Sequence, residues 1–585
     1  MNRLLRLVVL SSMVWAVALP AVVLAAEAAP IPFDEQGLPL WEIRQWQDFP
    51  VSIALPDQAA LANLLAQVPL ADFHREDWQP TADGWQLGTR ITNAEATALT
   101  QAGFDFDRLA DLEQAGRRAV EQAWAEAAGR SRVLAKDNSA ALDYYPTNVE
   151  IGQILDDLAT RFPEICRTFT WGESVLGRPL HGLVISADVQ NTAAEPEVRL
   201  SSNIHGNEVL GMIMLLDLAS HLATNYGQVG YDDLTDLVNT TEIHFMPMHN
   251  PDGYVAGSRT NANYLDLNRN FPLPTGYATV QEPETAHYMT YANAHHFVIS
   301  QNGHGGALVV NYPWDHTYDL APDDAALAKL SLEYSTYNLP MYNGRFDQGI
   351  TSGAAWYRVD GGMQDWVYDQ TDCMDVTVEL GVVKWPATTD LARYWDENRE
   401  SLLHFSAAAH YGIHGVVTDA LSGEPLAAQV TVTGNVMSVG TDPAHGDYYK
   451  LLDSGDYELT FAAEGYQSQT VSGVSTTWGA AAELNVSLLP AQLPLQLAVT
   501  AWPNPFNPSV TVAIEVQPSG PVLLEVFDLR GRLVRTLPME TLSEGKYQAL
   551  WEGDNNRGTH VGSGVYFVRA STGSRATTVK VIMAR

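Results

Sequence analysis

The segment "SSNIHGNEVLG", residues 201–211, holds a histidine and a glutamate three residues apart, and both residue types suit metal chemistry. A strand-like run delivers His205 and Glu208, Gly206 lets the backbone turn tightly between them, and a helix-like stretch starts directly afterwards. Zinc prefers imidazole nitrogens and a carboxylate, and a catalytic zinc site leaves one position open for water. The pair therefore predicts part of a metal site that needs a third ligand.

The spacing alone is weak support for such a site. A chain of 585 residues with 16 histidines and 69 acidic residues has roughly two such pairs by chance. Three further pairs share the spacing, namely His74 with Asp77, His249 with Asp252 and His316 with Asp319. A candidate third ligand is His304 in "NGHGGALVVNYPWD", because it also follows a strand-like run and has glycines beside it that permit close backbone approach.

These ligands need elements that bring them to one edge of a sheet. Between about 140 and 412, strand-like runs such as "EVRLSSNI", "EIHFMPMHN", "HFVISQNGH" and "DVTVEL" alternate with helix-like stretches and polar loops. The alternation predicts an α/β sheet covered by helices on both faces. Polar residues gather where the strands end, which is where open α/β sheets place their ligands.

Six motifs in this region stand in the order in which the zinc metallocarboxypeptidases carry them: "HGNE", "NPDGY", "DLNRNFP", "HGGALVVNYPWD", "WYRVDGGMQDW" and "TVELG". Over roughly 142–412 the chain resembles that family, especially its regulatory, basic-residue-specific branch, the carboxypeptidase N and E type. The resemblance implies a mixed central sheet flanked by helices. It also implies one Zn²⁺ per catalytic domain, bound by His205, Glu208 and His304.

The same resemblance assigns catalytic roles to two further residues. Glu379 in "TVELG" would take a proton from water activated by zinc and hand it to the leaving amine. Arg259 would stabilise the oxyanion of the tetrahedral intermediate. Glu379 could instead be a solvated acid at a strand end, but a glutamate that ends a nearly apolar strand is the better candidate base.

Five residues match the family's substrate-binding positions. Asn268 and Arg269 would bind the free C-terminal carboxylate, which calls for a planar bidentate donor, and Tyr357 would clamp the substrate. Asp315 and Gln364 would line the pocket for the terminal side chain, where a buried carboxylate attracts Lys or Arg. As alternatives, the Asn-Arg pair could cap a loop turn and Asp315 could brace its loop.

Composition bounds the partners and the compartment. With 33 basic and 69 acidic residues the formal net charge is −36, which repels nucleic acid and anionic lipid. The start of the chain, residues 1–26, has Arg3 and Arg6, an apolar stretch and small residues, and it predicts a cleaved secretory signal rather than an anchor. No other apolar run is long enough to span a bilayer. Cys166 and Cys373 favour two buried thiols slightly over a disulfide.

After the signal segment, the sequence divides into four regions, one of which is the catalytic domain. Residues 27–138 fit a small α+β pro-segment or accessory region, with a strand and helix in "VSIALPDQAALANLLAQV" and a helix through "DRLADLEQAGRRAVEQAWAEAAGR". The catalytic domain is expected at 139–412. Residues 413–490 resemble a transthyretin-like β-sandwich, and residues 495–585 resemble bacterial C-terminal sorting or FlgD-like immunoglobulin modules. The last resemblance implies contact with secretion or sorting machinery.

The sequence therefore predicts a secreted or cell-surface bacterial zinc carboxypeptidase that removes C-terminal residues, most often Lys or Arg, from peptides. One alternative is an enzyme of the same scaffold that acts on peptidoglycan stem peptides or another amide. The other is a surface-display binding protein without zinc. Presence of all three ligands together with Glu379 argues against the second alternative.

Overall fold

The computed structural model describes residues 48–585 except for short stretches inside this range. Those stretches are 69, 71–77, 82–83, 128–140, 191–193, 275–279, 492–495, 518–519, 538–540, 543–544 and 573–574. The predicted signal segment and the start of the 27–138 region lie outside the described residues. Within the described part of the chain, no helix is both long and apolar enough to cross a membrane.

The first described region is a four-stranded antiparallel sheet with helices. It contains β1 (Phe49–Leu55), α1 (Gln58–Gln67), β2 (Trp78–Thr81), β3 (Gly84–Ile91), α2 (Asn93–Gln101), β4 (Asp107–Arg108) and α3 (Gln114–Ala127), with strand order β2-β3-β1-β4. The predicted strand and helix in "VSIALPDQAALANLLAQV" are β1 and α1. The later helix begins only at Gln114, so Leu109 and Leu112 precede it and are exposed, contrary to the helical spacing in the sequence.

The second region is the large α/β body. Its elements are α4 (Asn148–Arg161), β5 (Cys166–Glu173), β6 (Pro179–Ile185), β7 (Glu197–Ser202), α5 (Leu210–Asn225), α6 (Asp232–Thr240), β8 (Glu242–Met246), α7 (Pro251–Ala256), α8 (Pro283–Ala292), β9 (Phe297–His304), β10 (Leu308–Tyr312), α9 (Asp324–Ser335), α10 (Leu339–Tyr342), β11 (Ile350–Ser352), α11 (Gly353–Trp356), α12 (Met363–Gln370), β12 (Met374–Leu380) and α13 (Leu391–Ala407). Short 3₁₀ turns lie at Leu267–Arg269, Asp347–Gly349, Thr388–Asp390 and Ala408–His410.

The eight strands of this body form one mixed sheet in the order β11-β10-β12-β9-β7-β8-β6-β5. The central strands β12, β9, β7 and β8 are parallel to one another. Strands β9 and β12 are buried on both faces of the sheet. Helix α5 follows β7 and is buried along most of its length, as expected of a helix that covers such a sheet. The predicted mixed sheet flanked by helices is confirmed.

The region around α3 contacts the loop that follows β12. The side-chain oxygen Oε1 of Glu113 accepts a hydrogen bond from the backbone nitrogen of Lys384 at 3.3 Å. A Cβ atom at Gly116 would lie 2.3 Å from the carbonyl oxygens of both Trp385 and Pro386. The glycine therefore lets the helix lie directly against the backbone of this loop.

Two all-β regions follow the α/β body. The first has β13 (Gly412–Asp419), β14 (Ala428–Val432), β15 (Val439–Gly440), β16 (Asp447–Lys450), β17 (Gly455–Ala463), β18 (Gln469–Thr476), β19 (Ala481–Glu483) and β20 (Val486–Leu488), in two sheets that enclose one core. The second has β21 (Gln496–Trp502), β22 (Val510–Gln517), β23 (Gly520–Pro521), β24 (Leu523–Asp528), β25 (Leu533–Leu537), β26 (Thr541–Leu542), β27 (Gly545–Trp551), β28 (Gly564–Thr572) and β29 (Arg575–Met583).

A buried ion pair joins the first all-β region to the α/β body. Lys450 Nζ lies 3.0 Å from Asp323 Oδ2, and both side chains are almost fully buried. The hydroxyl of Tyr368 and the amide of Asn435 donate to the same carboxylate. Both cysteines, Cys166 and Cys373, are free thiols in buried positions, as the sequence favoured.

Candidate active site

The sheet order brings residues from distant parts of the chain to one edge. His304 is the last residue of β9, and Glu379 pairs with it in the neighbouring parallel strand β12. His205 follows the end of β7, which pairs with the other side of β9. Because parallel strands end at the same edge, the three predicted groups meet there.

The loop between β7 and α5 takes its shape from an asparagine and a glycine. Asn203 has a φ of 63°, in the left-handed region, and its Nδ2 donates to the carbonyl oxygens of His205 at 2.9 Å and Gly206 at 3.1 Å. A Cβ at Gly206 would lie 2.1 Å from the carbonyl carbon of Gly253. Gly206 thus permits close packing against the "NPDGY" segment, while Asn203 provides the left-handed turn.

The three predicted metal ligands form one buried cluster. Nδ1 of His205 lies 2.9 Å, and Nδ1 of His304 lies 2.8 Å, from the same oxygen, Oε2 of Glu208. The two imidazole rings are 4.7 Å apart between centroids at an angle of 71°. All three residues are at most 3% exposed, and their ligand atoms lie within 4.8 Å of one another.

Further polar groups orient the two imidazoles from behind. Nε2 of His205 faces Asp266 Oδ1 at 3.0 Å, and Asp266 Oδ2 accepts from Arg259 Nε at 3.1 Å. Although burial opposes it, the charges of Arg259 and His205 hold the pKa of Asp266 well below its usual range. A carboxylate in this place fixes the tautomer and direction of a metal-binding histidine.

The donor set fits zinc. Bonds of about 2.0 Å to a tetrahedral zinc place neighbouring donors roughly 3.3 Å apart, close to the observed spacings. Asn302 faces Nε2 of His304 with its amide nitrogen at 3.0 Å, and its Oδ1 is buried without a hydrogen-bond partner among the described residues. With zinc on Nδ1, Nε2 of His304 carries a proton, and a half-turn of the Asn302 amide lets Oδ1 accept it.

Two cations flank the outer oxygen of Glu208. Arg259 Nη1 donates to Glu208 Oε1 at 3.1 Å, and Lys384 Nζ lies 3.5 Å from the same atom. Burial alone would raise the pKa of Glu208, but the charges of His205 and Lys384 and the imidazole hydrogen bonds hold it well below its usual range. Glu208 is therefore ionised, as a metal ligand must be.

The predicted carboxylate-binding pair lies next to the metal-site cluster. Asn268 donates its backbone nitrogen to Asp266 Oδ1 at 2.9 Å and accepts from the backbone nitrogen of Met363 through its own Oδ1 at 2.8 Å. This arrangement leaves the donating end of the Asn268 amide for a ligand. Nη1 of Arg269 donates to the backbone carbonyl oxygen of Asn268 at 2.9 Å, which holds the guanidinium beside the Asn268 backbone.

Asp315 and Gln364, the two residues predicted to line a pocket for the terminal side chain, are both buried and contact each other. Gln364 Nε2 donates to Asp315 Oδ1 at 3.1 Å, and Gln364 Oε1 accepts from the backbone nitrogen of Thr377 at 2.8 Å. Burial and then the charges of Asp365 and Asp375 raise the pKa of Asp315 well above its usual range, against the opposing charge of Arg269.

Glycines keep the space around Asp315 open. A Cβ at Gly353 would lie 1.6 Å from Asp315 Oδ1, and a Cβ at Gly362 would lie 3.5 Å from Oδ2 and 3.7 Å from the side-chain oxygen of Asn268. Tyr357 lies on the segment between these glycines and is partly buried, with its ring centroid 4.9 Å from that of Trp356. Gly362 therefore lies between the side chains of Asp315 and Asn268.

Motif reading did not identify Asp266, Asn302 or Lys384. Asp266 is the first residue of the "DLNRNFP" motif, and Lys384 lies five residues after Glu379 in the loop that follows β12. Their roles depend on which atom they face, and the letters do not give that. Asn302 lies two residues before His304, on the same face of β9, and this period-two spacing was the available signal.

The other histidine–acid pairs behave as ordinary structural groups. His249 is fully enclosed beside Trp171 and Tyr288, and burial lowers its pKa to about 3. His316 Nδ1 contacts Asp365 Oδ2 at 2.6 Å instead of its sequence partner Asp319. His74 and Asp77 lie outside the described residues.

The fold and this site define a metallopeptidase of the carboxypeptidase type. Residues 151–401 match the zinc carboxypeptidase family, 412–489 match the carboxypeptidase regulatory-like domain and 505–576 match the FlgD Ig-like domain. A crystal structure of thrombin activatable fibrinolysis inhibitor has the same fold, with a TM-score of 0.50 and 19% identity over 62% of this chain and 98% of that one.

Two curated relatives illustrate the family. Mouse carboxypeptidase D is 40% identical over 361 residues, 57% of this chain and only 26% of its own length. The catalytic chain of rat carboxypeptidase N is 37% identical over 53% of this chain and 78% of its own length. The chain belongs to the zinc carboxypeptidase family and is similar to its regulatory branch.

Proposed function

We propose that this chain hydrolyses the C-terminal peptide bond of peptides and prefers a terminal Lys or Arg. The observation that carries the proposal is a continuous set of contacts from the metal-site cluster to the pocket. His205 contacts Asp266, Asp266 accepts from Asn268, and Asn268 accepts from Met363, whose neighbour Gln364 donates to Asp315. Metal ligand, carboxylate-binding residue and pocket acid are thus held in one geometry.

The proposed chemistry needs one zinc ion and two residues of this chain. Zinc held by the three ligands supplies a Lewis acid and lowers the pKa of water from 15.7 towards about 7. Glu379, beside His304 in the adjacent strand, takes the proton of the attacking water and delivers it to the leaving amine. Arg259, which already contacts the ligand Glu208, stabilises the negative charge that develops on the carbonyl oxygen.

Substrate selection divides between two neighbouring sets of residues. Arg269 and Asn268 bind the free α-carboxylate, so that a peptide enters with its C-terminus first. Asp315 then pairs with a basic side chain, while an apolar side chain leaves this buried acid without a partner. Burial raises the pKa of Asp315 because it disfavours the charged carboxylate, and a nearby guanidinium or ammonium group stabilises that charged form.

We also propose export of the chain beyond the cytoplasmic membrane of a bacterium. The basic and apolar start of the sequence supports this, as does the match of 505–576 to the FlgD Ig-like domain, which fits a role in sorting or surface display. The hydrogen bond between Glu113 and Lys384 joins the segment before α3 to the loop that follows β12. Comparison of the activities of full-length and truncated protein tests whether the 27–138 region inhibits the enzyme.

The function is tested with two reporter peptides that differ only in their last residue, Arg or Phe. Purified full chain with zinc should release Arg with the higher kcat/KM, and chelation should abolish release. Release of neither residue, with zinc bound, would reject the carboxypeptidase assignment. Cleavage of peptidoglycan stem peptides alone would favour the related amidase, and equal rates for Arg and Phe would remove only the basic preference.

A further inference from the structure

A second cluster of histidines and glutamates lies at the opposite edge of the same sheet. Strand β7 begins at Glu197 and strand β8 begins at Glu242, and these two residues are paired in the sheet. Glu197 also pairs with Phe297 at the start of β9, two residues after His295. His244 lies two residues into β8, so the cluster occupies the amino ends of three central parallel strands.

The ligand atoms of this cluster have the spacing seen in the active site. Those of Glu197, His244 and His295 all lie within 4.8 Å of one another. Nδ1 of His295 is 3.0 Å from Glu197 Oε2. The rings of His244 and His295 have centroids 4.7 Å apart at an angle of 74°, against 4.7 Å and 71° for the catalytic pair.

A fourth residue, Glu242, contacts the imidazole of His244 with its carboxylate. Glu242 Oε1 lies 2.8 Å from His244 Nε2, as Asp266 lies 3.0 Å from His205 Nε2 in the active site. The hydroxyl of Tyr291 is 2.6 Å from His244 Nδ1, so an ion bound to this nitrogen would replace that hydrogen bond. His244 is fully buried and therefore held in one orientation, a requirement for a preformed metal site.

The cluster is accessible to a cation from solvent and holds two carboxylates, those of Glu197 and Glu242. The side chains of His295, Glu197 and Glu242 keep 25%, 18% and 15% of their exposure. Among the residues that the structure describes, neither glutamate forms an ion pair with a lysine or arginine. Two carboxylates beside two imidazoles match the charge of one divalent ion, and this N/O donor set suits zinc-like metals better than magnesium or calcium.

We propose that Glu197, His244 and His295, with Glu242 supporting His244, bind a second divalent metal ion of the zinc class. The ion would tie together the amino ends of β7 and β8 and the segment before β9. Its role is structural, because the site lies at the edge of the sheet opposite to Glu379. The proposal does not depend on the substrate preference of the active site.

The test counts metal in the full chain after chelator treatment and reloading with Zn²⁺ alone. Elemental analysis should find two equivalents in the unaltered protein, one per cluster. His304→Ala should lose the catalytic equivalent only. Glu197→Gln and His295→Ala, tested separately, should each lose the other equivalent while release of C-terminal Arg is retained. His296→Ala is the matched control, since this neighbouring histidine is exposed and outside the cluster.

Thermal unfolding provides the second readout. Zinc should raise the melting temperature of His304→Ala, because an ion that binds only the folded state stabilises it, and the increase should vanish in His304→Ala combined with Glu197→Gln. A single equivalent in the unaltered protein would overturn the proposal. So would two equivalents that persist in both Glu197→Gln and His295→Ala, since zinc would then lie elsewhere.

Discussion

The two edges of the central sheet carry nearly the same arrangement of histidines and glutamates, with ring pairs at 4.7 Å in both. They differ in what surrounds these ligands. At the carboxyl edge, Arg259 and Lys384 contact the ligand carboxylate and Glu379 pairs with the ligand His304. Aromatic rings lie beside the ligands of the amino edge, where His295 stacks with Phe297 at 5.1 Å.

The difference teaches that ligand geometry alone does not make a catalytic centre. The long connection after the carboxyl end of the parallel strand β8 supplies Asp266, Asn268 and Arg269, whereas Asp315 follows β10, which is antiparallel to β12. Catalytic activity therefore depends on the residues that surround the metal ligands at each edge.

The largest expected effect is the loss of turnover when the proposed general base at the carboxyl edge is replaced, a group for which the amino edge has no proposed equivalent. Glu379→Gln should lower kcat by about 10²- to 10⁴-fold with zinc retained, because it removes the proposed general base without removing a ligand. Glu242→Gln, the matched change at the other edge, should leave kcat unchanged. Turnover is measured on the Arg reporter peptide alongside zinc content. Normal turnover in Glu379→Gln would refute the role given to this residue.

A second change tests the pocket, which has no counterpart at the amino edge. Asp315→Asn should reduce the preference for Arg over Phe by about 10- to 100-fold, since a charged hydrogen-bonded partner is lost. The raised pKa of Asp315 means that this acid favours folding at low pH and costs stability as pH rises. Thermal unfolding at neutral pH should therefore show no loss of stability. An unchanged preference would exclude Asp315 from recognition.

A third pair of variants compares the carboxylates behind the histidines. Asp266→Asn should weaken the catalytic zinc by about 10- to 100-fold, and Glu242→Gln should weaken only the second ion by a similar factor. Competition with a zinc chelator measures both affinities. If Asp266→Asn and Glu242→Gln each weakened both ions, the two clusters would be coupled and the comparison between independent edges would fail.

The smallest expected effect is in the pH dependence of selectivity. Burial, with the charges of Asp365 and Asp375, keeps Asp315 protonated to higher pH than an ordinary carboxyl, although Arg269 opposes this. The Arg-to-Phe ratio of kcat/KM should therefore rise several-fold with pH above the ordinary carboxyl range. Protonation of metal ligands affects both substrates and cancels in the ratio. Asp315→Asn should give a flat ratio, and a flat ratio in the unaltered enzyme would contradict this account.

Much of the fold could be read from local patterns. The strand-like runs "EVRLSSNI", "EIHFMPMHN" and "HFVISQNGH" contain β7, β8 and β9, and the mixed sheet follows the expected alternation. The helix at Gln114–Ala127 begins later than the apolar spacing suggested, because Leu109 and Leu112 stay exposed ahead of it. Spacing records periodicity, whereas tertiary contacts decide which apolar residues are buried.

The sequence by itself determined the chemical identity of the proposed metal ligands and general base, since His205, Glu208, His304 and Glu379 sit in short motifs whose order matches that of the family. Only the tertiary structure decided which groups surround them and that Glu197, His244 and His295 come together. The physical reason is strand order: β9 lies between β12 and β7, and β7 lies between β9 and β8. Packing of whole strands sets that order, and no local spacing encodes it.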